Sequence, residues 1–189
     1  MTAPDLPTDR PSALPGVRYG SIARHVDGRG SFRELWRAAD FPDAPFAQAN
    51  LSTSDAGVLR GLHLHRRQDD LWIVAGGRAF VALVDVRPLL DGSGGPIVET
   101  RELPADSSVY IPTGVAHGFL AVEPLQLVYL VTNAYDGTDE LGFAWDDPAV
   151  GVAWPVVEGT PGGRPVTSDR DAANPPLAEL VVRLRSDAV

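Results

Sequence analysis

The sequence contains no cysteine, and this absence excludes a disulfide framework, a thiolate nucleophile and a zinc–thiolate site. Lysine is absent as well, because all 16 basic residues are arginine. Mechanisms that need a side-chain amine are therefore excluded. Among them are Schiff-base formation, the anchoring of pyridoxal phosphate and the lysine of a phosphate-binding loop.

Long apolar runs are also missing, since no stretch approaches the roughly 20 residues that a bilayer-spanning helix needs. The first residues lack the basic and then apolar order of a signal peptide. We therefore predict a cytoplasmic protein that has no membrane partner. Basic charge is scarce too: the formal net charge is -9, which argues against a nucleic-acid partner.

What the sequence does contain fits one globular domain. Of its 189 residues, 44% are hydrophobic and 22% are charged, as in chains that fold around a single core. We predict one domain over residues 1–189. The proline-rich segment 1–16 is expected to be mobile.

Short segments separated by turn residues indicate a β-rich fold. The 19 glycines and 17 prolines leave little room for long helices. Apolar and alternating stretches predict six strands: Leu71–Ala75, Arg78–Val86, Pro96–Leu103, Ser107–Ile111, His117–Val122 and Gln126–Thr132. The nearly continuous apolar run in Arg78–Val86 is typical of a strand that is buried on both faces. Strands of this number and length suggest a sandwich or a jelly-roll barrel.

One helix is predicted, over residues 176–186. Pro175 and Pro176 end the preceding segment. Apolar residues then follow at the spacing i, i+3, i+4 and i+7: Leu177, Leu180, Val181 and Leu184. We expect this stripe to pack on the outside of the barrel.

Three of the four histidines lie in two short motifs. In the first motif, Arg60 precedes His63 by three residues, so the two side chains point to opposite faces of a strand unless a bulge at Gly61 intervenes. His63 and His65 are two residues apart and therefore share a face. In the second motif, a proline–glycine turn delivers His117 to the start of the next strand.

Together the two motifs resemble the signature of the cupin superfamily. The matching features are the H-x-H pair of His63 and His65, the carboxylate of Asp70, and a later P-x-G-x-x-H that ends at His117. This resemblance implies an all-β, cupin-type jelly roll with the short C-terminal helix. In that superfamily, these positions often hold one divalent metal ion.

A closer resemblance, over about residues 19–180, is to the dTDP-4-dehydrorhamnose 3,5-epimerases, which are metal-free cupins that act on sugar nucleotides. It is carried by blocks that occur in the order and near the spacing of that family: Asp27–Gly30, Phe46–Asn50, Gly57–His63, Ile111–Phe119, Val128–Tyr129, Trp145–Pro148 and Ser168–Asp171. The resemblance implies an isomerase of deoxysugar biosynthesis. Such an enzyme would act on C3, C5 or both of a dTDP-4-keto-6-deoxy sugar.

The resemblance also implies roles for particular residues. At the family's positions, His63 is the base, Asp171 orients it, and Tyr129 is the acid on the opposite face of the sugar. Removing a proton next to a ketone and returning it requires a base and an acid but no nicotinamide, amine or metal. We therefore predict that no cofactor is used.

Further positions of the family contact the substrate. They correspond to Arg29, Arg60, Gln48, Asn50 and His117 in this sequence. Bidentate guanidinium groups suit phosphate oxygens, so the arginines are expected near the diphosphate. The resemblance further implies a homodimer, in which an N-terminal strand adds to the sheet of the partner.

The sequence departs from the family pattern after His63. His65 replaces a usual glutamine, and Asp70 stands where a lysine is expected. A carboxylate beside a forming oxyanion raises its energy, so Arg66 or Arg67 would have to supply the lost positive charge. The same two changes recreate a metal-binding set of His63, His65, Asp70 and His117 for one divalent ion.

Three functions remain open at this point. The chain is a sugar-nucleotide epimerase, a metal-dependent cupin enzyme that uses those four residues, or a catalytically idle homologue that binds sugar nucleotides. Metal analysis separates the second function from the first, and solvent deuterium exchange separates the first from the third.

Overall fold

The computed structural model describes residues 10–186. Within them the chain forms twelve strands: β1 (Arg18–Ser21), β2 (Arg24–Asp27), β3 (Gly30–Arg33), β4 (Gln48–Ser54), β5 (Leu59–Leu64), β6 (Asp70–Gly76), β7 (Arg78–Asp85), β8 (Ile97–Pro104), β9 (Ser107–Ile111), β10 (Val115–Ala121), β11 (Leu125–Val131) and β12 (Leu141–Gly142). The α-helices are α1 (Arg87–Asp91), α2 (Asp169–Ala172) and α3 (Leu177–Ser186). Two short 3-10 helices cover Ala38–Asp40 and Pro161–Gly163. None of the helices in this part of the chain is long and apolar enough to cross a membrane.

The strands form two five-stranded antiparallel sheets. The first sheet has the order β1-β9-β6-β11-β4, and the second has the order β12-β5-β10-β7-β8. Strands β2 and β3 pair only with each other, as a separate hairpin. Most consecutive strands from β4 to β11 belong to different sheets, so the chain passes repeatedly from one sheet to the other, as in a jelly roll.

The main core fills the space between the two sheets. Its side chains come from both inner faces and include Trp72, Val81, Leu83, Phe119 and Leu127. Because successive residues of a strand point to opposite faces, Ala82 and Val84 of β7 point outward. There they belong to a second cluster with α3. This double burial is what the apolar run of Arg78–Val86 predicted.

Helix α3 covers the outer face of the second sheet. The four stripe residues are all buried in the second cluster, beside Leu62 and Leu64 of β5. Since α2 lies just before α3, this packing also holds α2 against β5. The β-rich architecture and the C-terminal helix that the sequence predicted are confirmed.

The six predicted strands are all present, with ends that differ by no more than two residues. Strands β1 to β4 and β12 were not predicted. Residues 1–9 of the segment expected to be mobile lie outside the described residues. In the rest of that segment, Arg101 donates hydrogen bonds to the carbonyl groups of Arg10 and Pro11, and Leu14 is buried in the main core.

Candidate active site

A cavity of about 400 Å³ opens between the two sheets. Its walls are built by β4, β6 and β11 of the first sheet and by β5 and β10 of the second. Tyr135 and Glu140 line it from connecting segments, and Arg170 lines it from α2. Side chains from all but two of the blocks that carry the family resemblance lie in or beside this cavity, which makes it the candidate active site.

His63 and Asp171 form a hydrogen-bonded pair at the cavity wall. His63 Nε2–H donates to Asp171 Oδ1 over 2.8 Å, and this assigns the proton to Nε2 because a carboxylate can only accept. His63 lines the cavity, whereas Asp171 is buried behind it. The other ring nitrogen, Nδ1, is left with a lone pair and can accept a proton.

The position of Asp171 is fixed from several sides. Ser168 caps α2 by accepting a hydrogen bond from the Asp171 amide over 3.1 Å, and the Gly61 amide donates to Asp171 Oδ2 over 3.4 Å. Burial alone would raise the pKa of Asp171. The hydrogen bond and charge of His63, together with those two neighbours, instead hold the pKa below its ordinary value. The carboxylate is therefore ionised at neutral pH and keeps the imidazole in one orientation.

Tyr129 enters the cavity from β11, in the sheet opposite His63. Burial and the neighbouring charge of Asp70 raise the pKa of Tyr129 above its ordinary value, although Arg60 acts in the opposite direction. The phenol is therefore protonated at neutral pH and can donate a proton. A base and an acid thus face the same space from different sheets.

Arg60 and His63 both line the cavity although they are three residues apart on β5. The pairing of β5 with β10 shifts register between His117 and Phe119, so the bulge that the sequence suggested is present. Gly61 stands at this point with φ +129, and a Cβ there would lie 2.5 Å from the Gly118 Cα. Only glycine allows the two strands to approach this closely.

A second set of polar residues lies deeper in the cavity. His65, Asp70 and His117 are all buried, and one ligand-type atom of each lies within 4.8 Å of the others. His63 does not belong to this group; its Nε2 is hydrogen-bonded to Asp171. The structure therefore divides the four residues that the sequence analysis placed in one metal set.

The predicted substrate-binding residues fall into two groups. Gln48, Asn50, Arg60 and His117 line the cavity. Arg29, Arg66 and Arg67 do not line it. Arg29 is exposed in the turn of the β2–β3 hairpin and pairs with Asp27 at 2.6 Å. Of the four arginines that the sequence analysis considered for the substrate or for the lost lysine charge, only Arg60 therefore lines the cavity among the described residues.

The backbone amides of Arg66 and Arg67 are held by Asp139, outside the cavity lining. The amide groups of both residues donate to the carboxylate of Asp139, with distances of 2.8 to 3.0 Å. The Arg67 guanidinium donates to Thr138 over 2.6 Å. Neither residue is among those that line the cavity with Asp70 in the described part of the chain.

Two charged residues of the cavity were not predicted as site residues. Arg170 and Glu140 both line it, with Arg170 Nη2 at 3.3 Å from Glu140 Oε2. Arg170 could have been found, because it lies in the Ser168–Asp171 block next to Asp171. Glu140 lies in a connecting segment without a recognisable motif.

Comparison with known proteins gives one consistent result. The profile of the family described as dTDP-4-dehydrorhamnose 3,5-epimerase matches residues 11–179. The spore coat polysaccharide biosynthesis protein SpsL of Bacillus subtilis is 37% identical over 145 residues, which are 75% of this chain and 96% of that protein.

Two solved structures extend this similarity to the fold. The RmlC epimerase of Mycobacterium tuberculosis superimposes with a TM-score of 0.78 at 32% identity, over 95% of this chain and 90% of that one. ChmJ of Streptomyces bikiniensis, a 3'-monoepimerase in complex with dTDP-quinovose, gives a TM-score of 0.76 at 28% identity, over 94% of this chain and 97% of that one.

Proposed function

The chain belongs to the dTDP-4-dehydrorhamnose 3,5-epimerase family, and on this basis we propose the mechanism by which it acts. It is an isomerase of deoxysugar biosynthesis that epimerises a dTDP-4-keto-6-deoxy sugar. The comparisons favour this function over a metal-dependent enzyme of another class and over an idle homologue. The observation that carries the mechanism is the His63–Asp171 pair, which faces the same cavity as the Tyr129 phenol.

The proposed reaction is a proton transfer at a carbon next to the C4 ketone. His63 Nδ1 takes the proton, the C–H electron pair forms the C=C bond of an enolate, and the C=O pair moves onto oxygen. The Tyr129 hydroxyl then donates its proton to the same carbon from the opposite face; the C=C pair forms the new C–H bond, and the pair on oxygen restores the C4 ketone. His63 afterwards loses its proton to solvent, and solvent reprotonates the Tyr129 phenolate.

Each proton transfer in this scheme is made by a side chain or by solvent. Asp171 contributes by holding the imidazole and by stabilising its positive charge after the transfer. The carbons of the substrate that take up deuterium show whether C3, C5 or both are epimerised. The test is deuterium incorporation from heavy water into dTDP-4-keto-6-deoxyglucose, followed carbon by carbon by NMR. Complete absence of exchange would overturn the proposed function.

We assign the diphosphate of the substrate to Arg60. Its Nε donates to Ser54 Oγ over 3.1 Å and one Nη to Thr53 O over 3.3 Å, so the guanidinium is held at the cavity while its other donors remain available for phosphate oxygens. The structure shows no ion pair between Arg60 and a carboxylate in residues 10–186.

Replacing Arg60 with alanine is expected to weaken dTDP binding about 10- to 100-fold, because hydrogen bonds to charged groups contribute about 1.5–3 kcal/mol. Isothermal titration calorimetry with dTDP measures this, and added salt should weaken wild-type binding. Arg164→Ala is the matched control, since it removes the same charge from an exposed residue outside the cavity. Unchanged affinity in Arg60→Ala would mean that the diphosphate binds elsewhere.

We further propose that the protein is a cytoplasmic homodimer. The β2–β3 hairpin pairs with no other strand of its own chain, and Val26 and Phe32 on it are 73% and 67% exposed. Isolated two-stranded hairpins are marginally stable in water, and exposed apolar side chains of this size mark contact surfaces. Strand β4 is an edge of the first sheet and carries Gln48 and Asn50 of the cavity.

A hairpin added to the partner's β4 edge would bury these side chains and carry Arg29 toward the partner's cavity. This arrangement would account for a substrate-binding arginine that lies outside the cavity of its own chain. Sedimentation equilibrium at micromolar concentration is expected to give twice the mass of one chain. A monomeric wild-type protein would contradict the proposal. The variant Phe32→Asp, in contrast, is expected to be monomeric, because it places a charge in the contact.

A further inference from the structure

His65, Asp70 and His117, which we call the acceptor cluster, converge in the cavity, with one ligand-type atom of each within 4.8 Å of the others. Each is buried, with 6%, 4% and 4% of its surface exposed. His117 Nε2 lies 3.7 Å from Asp70 Oδ2, which is too far for a hydrogen bond. All three residues also line the cavity that holds His63 and Tyr129.

The hydrogen bonds around the cluster determine which imidazole nitrogens face it. His65 Nδ1–H donates to the Asp139 carbonyl over 2.7 Å, and His117 Nδ1–H donates to the Val115 carbonyl over 3.1 Å. Since a carbonyl oxygen only accepts, the proton is on Nδ1 and each Nε2 is left toward the cluster.

The surroundings hold this arrangement rigidly. The Asp139 carboxylate accepts the amides of Arg66 and Arg67, and this fixes the segment whose carbonyl orients His65. Asp70 accepts from Gln68 over 2.8 Å and from the Trp72 indole over 3.1 Å. Imidazoles that donate Nδ1–H to a carbonyl and hydrogen-bonded carboxylates are the usual surroundings of metal ligands.

From this geometry we infer that the acceptor cluster binds one divalent transition-metal ion through His65 Nε2, His117 Nε2 and a carboxylate oxygen of Asp70. Two ligand atoms that are each about 2.1 Å from a tetrahedral ion lie about 3.4 Å apart, close to the 3.7 Å between His117 and Asp70. Two imidazoles and one carboxylate suit zinc, iron(II) and related ions. Three protein ligands leave coordination positions open toward the cavity.

The ion also has a place in the chemistry, and this part of the inference rests on the proposed epimerase function. Without a cation, the Asp70 carboxylate adds negative charge to the cavity where the enolate oxygen forms. A divalent ion reverses the sign of the cluster's net charge. As a Lewis acid, the ion would stabilise the negative charge that develops on the C4 oxygen of the substrate. Its own oxidation state would not change.

Cobalt(II) titration of untagged, chelator-treated protein tests the site without using turnover. Visible absorption bands are expected to saturate at about one cobalt per chain and to disappear when zinc is added. His65→Gln and Asp70→Asn should weaken cobalt binding at least 10-fold. His25→Gln, which removes the exposed histidine of β2, is the matched control and should bind as wild type. Absence of saturable bands in wild type, or wild-type binding by both cluster variants, would overturn the site.

A second measurement covers the case in which the variants fail to fold, as judged by circular dichroism. X-ray absorption of the zinc-loaded wild-type protein should show two imidazole ligands, and one or none would contradict the assignment. For the chemistry, we expect removal of the ion to slow deuterium exchange about 100-fold and cobalt or zinc to restore it. Equal exchange with and without the ion would overturn the Lewis-acid role alone. No exchange under either condition, with intact cobalt binding, would instead count against the epimerase function.

Discussion

Replacing His63 with asparagine is expected to lower the rate of deuterium exchange into dTDP-4-keto-6-deoxyglucose by roughly 10²–10⁴-fold, the usual cost of losing a positioned general base. Asparagine carries its amide near the position of Nδ1 and not of Nε2, so the buried Asp171 carboxylate loses the 2.8 Å hydrogen bond from the ring and keeps the one from the Gly61 amide. An amide cannot accept the sugar proton. The loss of the base should therefore appear in the exchange rate, whereas the lost hydrogen bond to buried Asp171 should lower the free energy of unfolding by only about 1–3 kcal/mol.

Three measurements make this result specific to the base. His25→Asn, which alters the exposed histidine on β2, is the control for removing an imidazole. Affinity for dTDP should be retained in His63→Asn, because Arg60 rather than His63 is assigned to the diphosphate. Cobalt binding should also be retained, because His63 is not part of the acceptor cluster. Exchange at the wild-type rate in His63→Asn would show that another group removes the proton.

The sequence predicted the sheets best where burial leaves a repeating pattern. Strands β6 to β11 carry side chains that point into the main core or beneath α3, and their apolar runs are visible in the sequence. Strands β2 and β3 are exposed on almost every residue, so no covered face imposes a pattern on them. Strand β12 has only two residues and is too short to detect.

The candidate site could be predicted only where its residues lie close together in the chain. His63, His65 and Asp70 fall within eight positions of the sequence. Strand geometry places His63 and His65 on one face, whereas Asp70 lies on β6 of the other sheet and was linked to them by the cupin motif. The partner of His63, Asp171, is 108 residues away, and only the family resemblance connected the two. Strand geometry alone also failed to separate His63 from the acceptor cluster, because residues two apart share a face whether or not their side chains meet.

The replacement of Tyr129 by phenylalanine is expected to separate proton exchange from inversion. Phenylalanine keeps the ring that packs against the main core but lacks the hydroxyl group. His63 and Asp171 remain in place, so the proton next to the ketone can still be removed. Deuterium should then return from the His63 side, which gives exchange with retention of configuration.

The two outcomes are read from one NMR experiment in heavy water. Exchange at the sugar carbon should stay within about 10-fold of wild type, whereas formation of the inverted sugar should fall by roughly 10²–10⁴-fold. Tyr135→Phe is the matched control, because Tyr135 also lines the cavity but is 67% exposed and belongs to neither β5 nor β11. Inversion that persists in Tyr129→Phe and is lost in Tyr135→Phe would assign the acid to Tyr135. If exchange and inversion both stop in Tyr129→Phe, the hydroxyl is needed to form the enolate itself. The assignment of His63 as the base and Tyr129 as the acid would then be wrong.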